Sequence, residues 1–62
     1  MSTTSQQIID AFNEWQTEDA KFTEKGNKAA GTRARKALLE IGKLTKVRRA
    51  EISEAKASES DD

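Results

Sequence analysis

The residues of this sequence best suited to chemistry are its cations, and the chemistry they offer is anion binding. Nine of the eleven Lys and Arg residues fall between Glu24 and Arg49, in the run EKGNKAAGTRARKALLEIGKLTKVRR. Only Glu24 and Glu40 oppose them, so this stretch carries a formal +7. Residues 1–23 carry −3 and residues 50–62 carry −4, which brings the whole chain to a formal zero. That zero hides a strong local field, because exposed charges more than about 10 Å apart hardly cancel in physiological salt. The order along the chain is acidic, basic, acidic.

Other chemistry finds little material. There is no Cys and no His, so a Cys/His zinc site and a disulfide are both excluded. There is also no Tyr, and no pair of carboxylates has a reason to shift its pKa, so no catalytic residue is nominated and an enzyme is not expected. No cofactor, metal or small-molecule substrate is expected either. Gly26 and Gly31-Thr32 are spaced like parts of a phosphate-binding loop, yet the required Lys is missing, Arg33 follows Thr32, and no strand precedes them. A helix turn explains the glycines better. A free helix start would still let Asn27 and Lys28 reach a phosphate.

The elements that must hold these cations are helices. The chain has no Pro and three Gly, and its strand-prone residues do not alternate. Thr3 with Gln6 and Thr4 with Gln7 both fit a capping box, which predicts a first helix from about Ser5 after a frayed 1–4 segment. Ile8, Phe12, Trp15 and Phe22 share one face of it, with Asp19 in the missing slot. Asp10, Glu14 and Glu18 form an acidic ridge. A break near 26–27 suits Gly26 as the left-handed residue past a helix end and Asn27 as the next cap. Gly31-Thr32 is the alternative break. The second, longer helix is expected from about Lys28 to Ala57, with an apolar stripe of Ala30, Ala34, Ala37, Leu38, Ile41, Leu44, Thr45, Arg48, Ile52 and Ala55. Residues 58–62, SESDD, read as a disordered acidic tail.

A short turn makes the two helices antiparallel neighbours, so residues 5–57 are expected to form an all-α helical hairpin. The residues expected in the core or at the contact between copies are Ile8, Phe12, Trp15, Phe22, Leu38, Ile41, Leu44 and Ile52, with Phe22 over Ala30-Gly31 and Trp15 opposite Leu38. A chain of 62 residues buries little surface on folding, and two helices cover each other on one side only. Self-association into a homodimeric four-helix bundle is therefore expected. Arg48 lies on the apolar stripe, where it either snorkels outward or pairs with an acid. Trp15 reads as a core aromatic rather than a stacking platform. No apolar run is long enough to span a membrane and no signal peptide is recognisable, so the expected location is cytoplasmic.

Lys28, Arg35, Lys36, Lys43 and Lys46 share the face of the second helix opposite Ile41, while Arg33 and Arg49 flank the stripe. A solvated helix face usually mixes signs to form pairs along itself, whereas here Glu40 is the lone acid among nine bases. Phosphate binding accounts for that imbalance. The run Gly26-Asn27-Lys28-Ala29-Ala30-Gly31-Thr32-Arg33-Ala34-Arg35-Lys36-Ala37, with the Leu/Ile-rich helix to Arg49, resembles the chlamydial-type, linker-histone-like nucleoid proteins of bacteria. The resemblance covers about Phe22 to Lys56. It implies a chromosome-associated protein that binds and condenses double-stranded DNA, and it points to Lys25, Asn27, Lys28, Arg33, Arg35 and Lys36 as contact residues. Strongly compacting members carry a long Lys/Ala-rich tail, where this sequence has SESDD. Together the residues and the resemblance predict a histone-like, nucleoid-associated protein that contacts DNA phosphates non-specifically, with Lys43, Lys46 and Arg49 extending the surface. The rival expectation is a helical oligomeric interaction module that binds an acidic protein partner and no DNA.

Overall fold

The computed structural model describes residues 2–59, with side chains as far as Ala57. It consists of two helices, α1 (Thr3–Lys25) and α2 (Lys28–Glu59), packed against each other as an antiparallel hairpin with no strand among the described residues. Helix α1 starts two residues earlier than the Ser5 expected from the Thr capping boxes. Ser2 is the cap instead, its Oγ accepting the Ser5 backbone N–H at 2.9 Å. This releases Thr4 to turn inward, where it is buried. At the other end Gly26 adopts φ 64°, ψ 25°, and its N–H donates to the carbonyl of Phe22 at 3.0 Å. An L residue with a side chain resists that left-handed conformation, which glycine enters freely. Asn27 then caps α2, its Oδ1 accepting the Ala30 N–H at 3.1 Å. Helix α2 continues to Glu59, past the Ala57 end read from sequence, and residues 60–62 of the expected acidic tail lie outside the described residues.

The seam between the helices follows alternating steps of four and three. On α1 it runs Thr4, Ile8, Ala11, Trp15, Glu18, and on α2 Ala30, Ala34, Ala37, Ile41, Leu44, Arg48, Glu51, all of them buried or half-buried. This is the spacing of a coiled-coil seam. Its innermost members are small: Ala30 is 0% exposed, and Ala11, Ala34 and Ala37 are buried with it. Leu44 is the one large apolar side chain among the described residues that is buried to the same degree.

Within one hairpin the expected core and contact residues are only partly enclosed. Phe12, Phe22, Leu38 and Ile52 are between 44% and 50% exposed, and they lie beside the seam rather than in it. The aromatic spacing on α1 points to a stripe centred near Phe12, but the backbone approach that alanine permits moves the contact line to Ala11. Phe22 still lies across the second helix, its ring occupying the space where a Cβ on Gly31 would fall 2.6 Å from Cδ1. Phe12 and Trp15 stack in a tilted pair with centroids 5.5 Å apart. The Trp15 Nε1–H is enclosed without an acceptor among the described residues, a cost to stability at this point of the seam.

Arg48 is a structural residue at the open end of the hairpin. It donates to Glu51 Oε1 at 2.8 Å, while Glu51 Oε2 accepts the Thr4 hydroxyl at 2.6 Å. These two hydrogen bonds, the Thr4 bond foremost, hold the Glu51 carboxyl below its ordinary value of 4.5. A depressed carboxyl pKa contributes stability that is whole above the ordinary value and is lost as pH falls through the folded one. Glu51→Gln should accordingly lower the thermal midpoint at neutral pH, and the difference from the parent should shrink towards zero near pH 3, followed by circular dichroism.

The small-residue seam gives a second expectation. Ala30→Leu overfills the interface, which costs ~1–3 kcal/mol, and in a domain this small should lower the thermal midpoint by roughly 5–20 °C. A methyl group added at Gly42 would meet nothing within 4 Å, so Gly42→Ala should raise stability by up to ~1 kcal/mol.

Candidate nucleic-acid interface

The surface of α2 that faces away from α1 is where the cations collect. Lys28, Arg35, Lys36, Lys43 and Lys46 are all exposed, and helical spacing sets them along the side opposite the seam. Thr32 and Leu39 lie in the same row, and Thr32, Arg35, Lys36 and Leu39 line a shallow depression there. At a rise of ~1.5 Å per residue, the row from Lys28 to Lys46 is about 27 Å long. It is a rigid ruler: one uninterrupted helix fixes every spacing, and no glycine or proline kink breaks the α2 backbone. The flexible part is confined to the side-chain stems, which let each ammonium or guanidinium adjust to a nearby oxygen.

The remaining residues expected from sequence are placed differently. Lys25 is exposed in the last turn of α1, where a cation is favourable beside free carbonyls, and it neighbours Lys28 across the turn. Asn27 spends its side-chain oxygen on the α2 cap, which leaves its NH₂ group as the part still able to meet a ligand. Arg49 is exposed on the flank of α2. Arg33 is committed across the hairpin, its Nε donating to Glu18 Oε1 at 3.0 Å. Glu18, expected on a solvated acidic ridge, is half-buried by this pairing. The signal for it was available in sequence: Glu18 and Arg33 fall at matching heights on two antiparallel helices joined at residues 26–27. Glu14, Arg33, Lys36 and Glu40 line one long side of the hairpin as a mixed-sign surface. Segregation of sign is thus complete only on the outer face of α2.

The chemistry such a face offers is electrostatic attraction of anions. Among the described residues it has a shallow depression and no cluster of His, Cys, Asp or Glu that could hold a metal ion. Its cations are solvated and separated along a rod, which matches a linear array of phosphates better than a compact acidic ligand.

The family model described as histone H1-like protein Hc1 matches residues 2–58. The chain belongs to that family. The matched range takes in the whole of α1 as well as the Phe22–Lys56 stretch that carries the sequence resemblance, so the match spans the hairpin as a unit. The family is a histone-like one and not an enzyme family. No curated protein and no solved structure matches the chain. Among the described residues, no helix is long and apolar enough to cross a membrane.

The pairing of Arg33 separates it from its neighbours in a measurable way. On a heparin column, Lys36→Gln should elute at clearly lower salt than the parent, whereas Arg33→Gln should elute closer to it. Equal shifts for both variants would show that the Glu18 ion pair does not withhold Arg33 from anions.

Proposed function

We propose that this chain is a nucleoid-associated, histone-like protein that binds double-stranded DNA through its phosphates, without reading base sequence. The observation that carries the reading is the one-sided cation row on the outer face of α2, in a chain whose family is histone H1-like. Lys28, Arg35, Lys36, Lys43 and Lys46 make the principal contacts, and Lys25 and Arg49 extend the row at its two ends. Asn27 and Arg33 play lesser parts, since both are held by bonds within the hairpin. The protein works as a self-associated pair of hairpins, because the apolar residues displaced from the seam leave one long side uncovered. Its place of action is the bacterial nucleoid, within the cytoplasm.

The mechanism is counterion release. A duplex holds a condensed layer of cations, and each Lys or Arg that reaches a phosphate frees roughly one of them into solution. The gain is entropic, grows as salt falls, and is the same for every sequence. The row presents mostly Lys and Arg with no Asn or Gln at its centre, so the usual bidentate partners of adenine are missing, and a straight α2 lying along the backbone keeps its side chains out of the groove floor. The rival expectation, an interaction module for an acidic protein, draws no support from the family.

Salt titration of duplex binding tests the reading. Gel shifts of a mixed-sequence duplex should give a log–log slope near −0.9 for every phosphate bound, hence about −3.6 for four of them. The triple variant Arg35→Gln, Lys36→Gln, Lys43→Gln should stay helical, flatten that slope by ~0.9 for each phosphate no longer reached, and weaken binding to all duplexes alike. A loss confined to particular sequences would indicate base readout. Absence of any shift by the parent at ~20 mM salt would remove the DNA-binding reading, since phosphate binding is strongest at low salt.

A further inference from the structure

Near the turn of the hairpin, where the outer face of α2 gives way to the apolar flank, a groove of about 320 Å³ opens. Its floor is apolar, made by Phe22 and Leu38, both about half exposed. Gly31 lets the Phe22 ring settle low against α2, since a Cβ there would fall 2.6 Å from Cδ1. Lys28 and Arg35 stand on the α2 rim and Asp19 on the α1 rim. The two cations are two helical turns apart, about 10 Å along the axis, and both also belong to the outward row. The half-buried Asp19 carboxylate has no ion-pair partner among the described residues.

Phosphate binding explains the row but not this groove. A phosphate gains nothing from an apolar floor, and a carboxylate beside it is a cost. An apolar ligand, in turn, gains nothing from three charges on the rims. A nucleotide with an unpaired base uses every part. Its ring has a π-face to lay on Phe22, its flanking phosphates reach Lys28 and Arg35, and the donors on its pairing edge reach Asp19.

We propose that this groove takes an unpaired base of single-stranded DNA, guanine before the others. Guanine carries N1–H and N2–H side by side, so both donate to the two oxygens of one carboxylate in a charge-assisted pair. Thymine has a single N–H set between two carbonyl oxygens that repel Asp19. Adenine and cytosine each place an amino group beside an acceptor nitrogen. A base inside a duplex is stacked and its pairing edge is engaged, so it cannot enter without being pulled out. Duplex binding therefore stays indifferent to sequence, while single-strand binding does not. The phosphate contacts rest on the DNA-binding reading above, whereas the roles of Asp19 and Phe22 are additional to it. Contact between copies has Ile9, Phe12 and Ile52 to use, farther from the turn.

Fluorescence anisotropy at one salt concentration tests the groove. A short thymidine strand with one central guanine should bind about tenfold tighter than the all-thymidine strand. Asp19→Asn removes a negative charge and so strengthens phosphate binding generally, but it should bring that ratio to within about twofold. Phe22→Leu should weaken both strands about fivefold, while gel shifts of a duplex stay within about twofold of the parent. Should Phe22→Leu lose helicity, the guanine ratio of Asp19→Asn, altered only on the rim, still decides. Equal binding of the two strands by the parent, or equal loss of strand and duplex by a folded Phe22→Leu, would overturn the proposal. A Phe22→Leu loss that tracks dissociation of copies in sedimentation would assign the groove to a second copy and overturn it too. A parent that shifts the duplex but shows no guanine preference fails the groove alone, whereas one that shifts neither strand nor duplex fails the DNA-binding reading.

Discussion

Everything in this hairpin depends on how closely two helix backbones can approach. Ala30, Ala34 and Ala37 on α2 occupy the contact line from the turn towards mid-hairpin and Ala11 occupies it further along α1, with Ala30 wholly enclosed. Small side chains at steps of four and three let the helices close up over several turns, and the resulting dispersion attraction acts between backbone and Cβ atoms rather than between large side chains. Phe12, Phe22 and Leu38 are pushed to one flank, and the same closeness that stabilises the hairpin thereby leaves it with an uncovered apolar side.

Polar residues finish what alanine cannot. Towards the open end the seam passes through Arg48 and Glu51 and meets Thr4, so the last layer is a chain of hydrogen bonds instead of a packed core. Midway towards the turn Glu18 takes Arg33. These pairs are worth little individually at a solvent-accessible position. Their larger effect is on register: the Thr4–Glu51 and Glu18–Arg33 bonds, fourteen residues apart on α1, oppose the sliding of one helix on the other. They also remove Arg33 and Arg48 from the pool of cations free to meet an anion.

The helical hairpin was legible from the absence of Pro, the apolar periodicity and the glycine–asparagine pair at 26–27. The seam was less so. Hydrophobic spacing weights Phe and Leu heavily and Ala lightly, so a stripe drawn through Ile8, Phe12, Trp15 and Phe22 sits to one side of the true contact line through Ala11. On α2, where Ala30, Ala34 and Ala37 belong to the stripe, stripe and seam nearly coincide. The start of α1 is displaced for a related reason: Thr3 and Thr4 each fit a capping pattern, and only the inward role of Thr4 shows why Ser2 takes the cap. Among the cations, position on the outer face follows from spacing alone. The cap role of Asn27 follows from its place after Gly26, and the pairing of Arg33 follows only once the turn at residues 26–27 sets Glu18 at its height.

The division of labour is therefore spatial. One face of α2 is spent on α1, one flank of the hairpin is apolar, and the outward face carries free cations in a straight row. A titration of the isotopically labelled protein with a mixed-sequence duplex, followed through backbone amide shifts, tests this division most directly. The account predicts changes concentrated at Lys28, Thr32, Arg35, Lys36, Leu39, Lys43 and Lys46, diminishing as salt rises, with Gln7, Asp10, Glu14 and Thr17 of α1 left in place. Changes centred on α1, or spread evenly over both helices at every salt concentration, would contradict it.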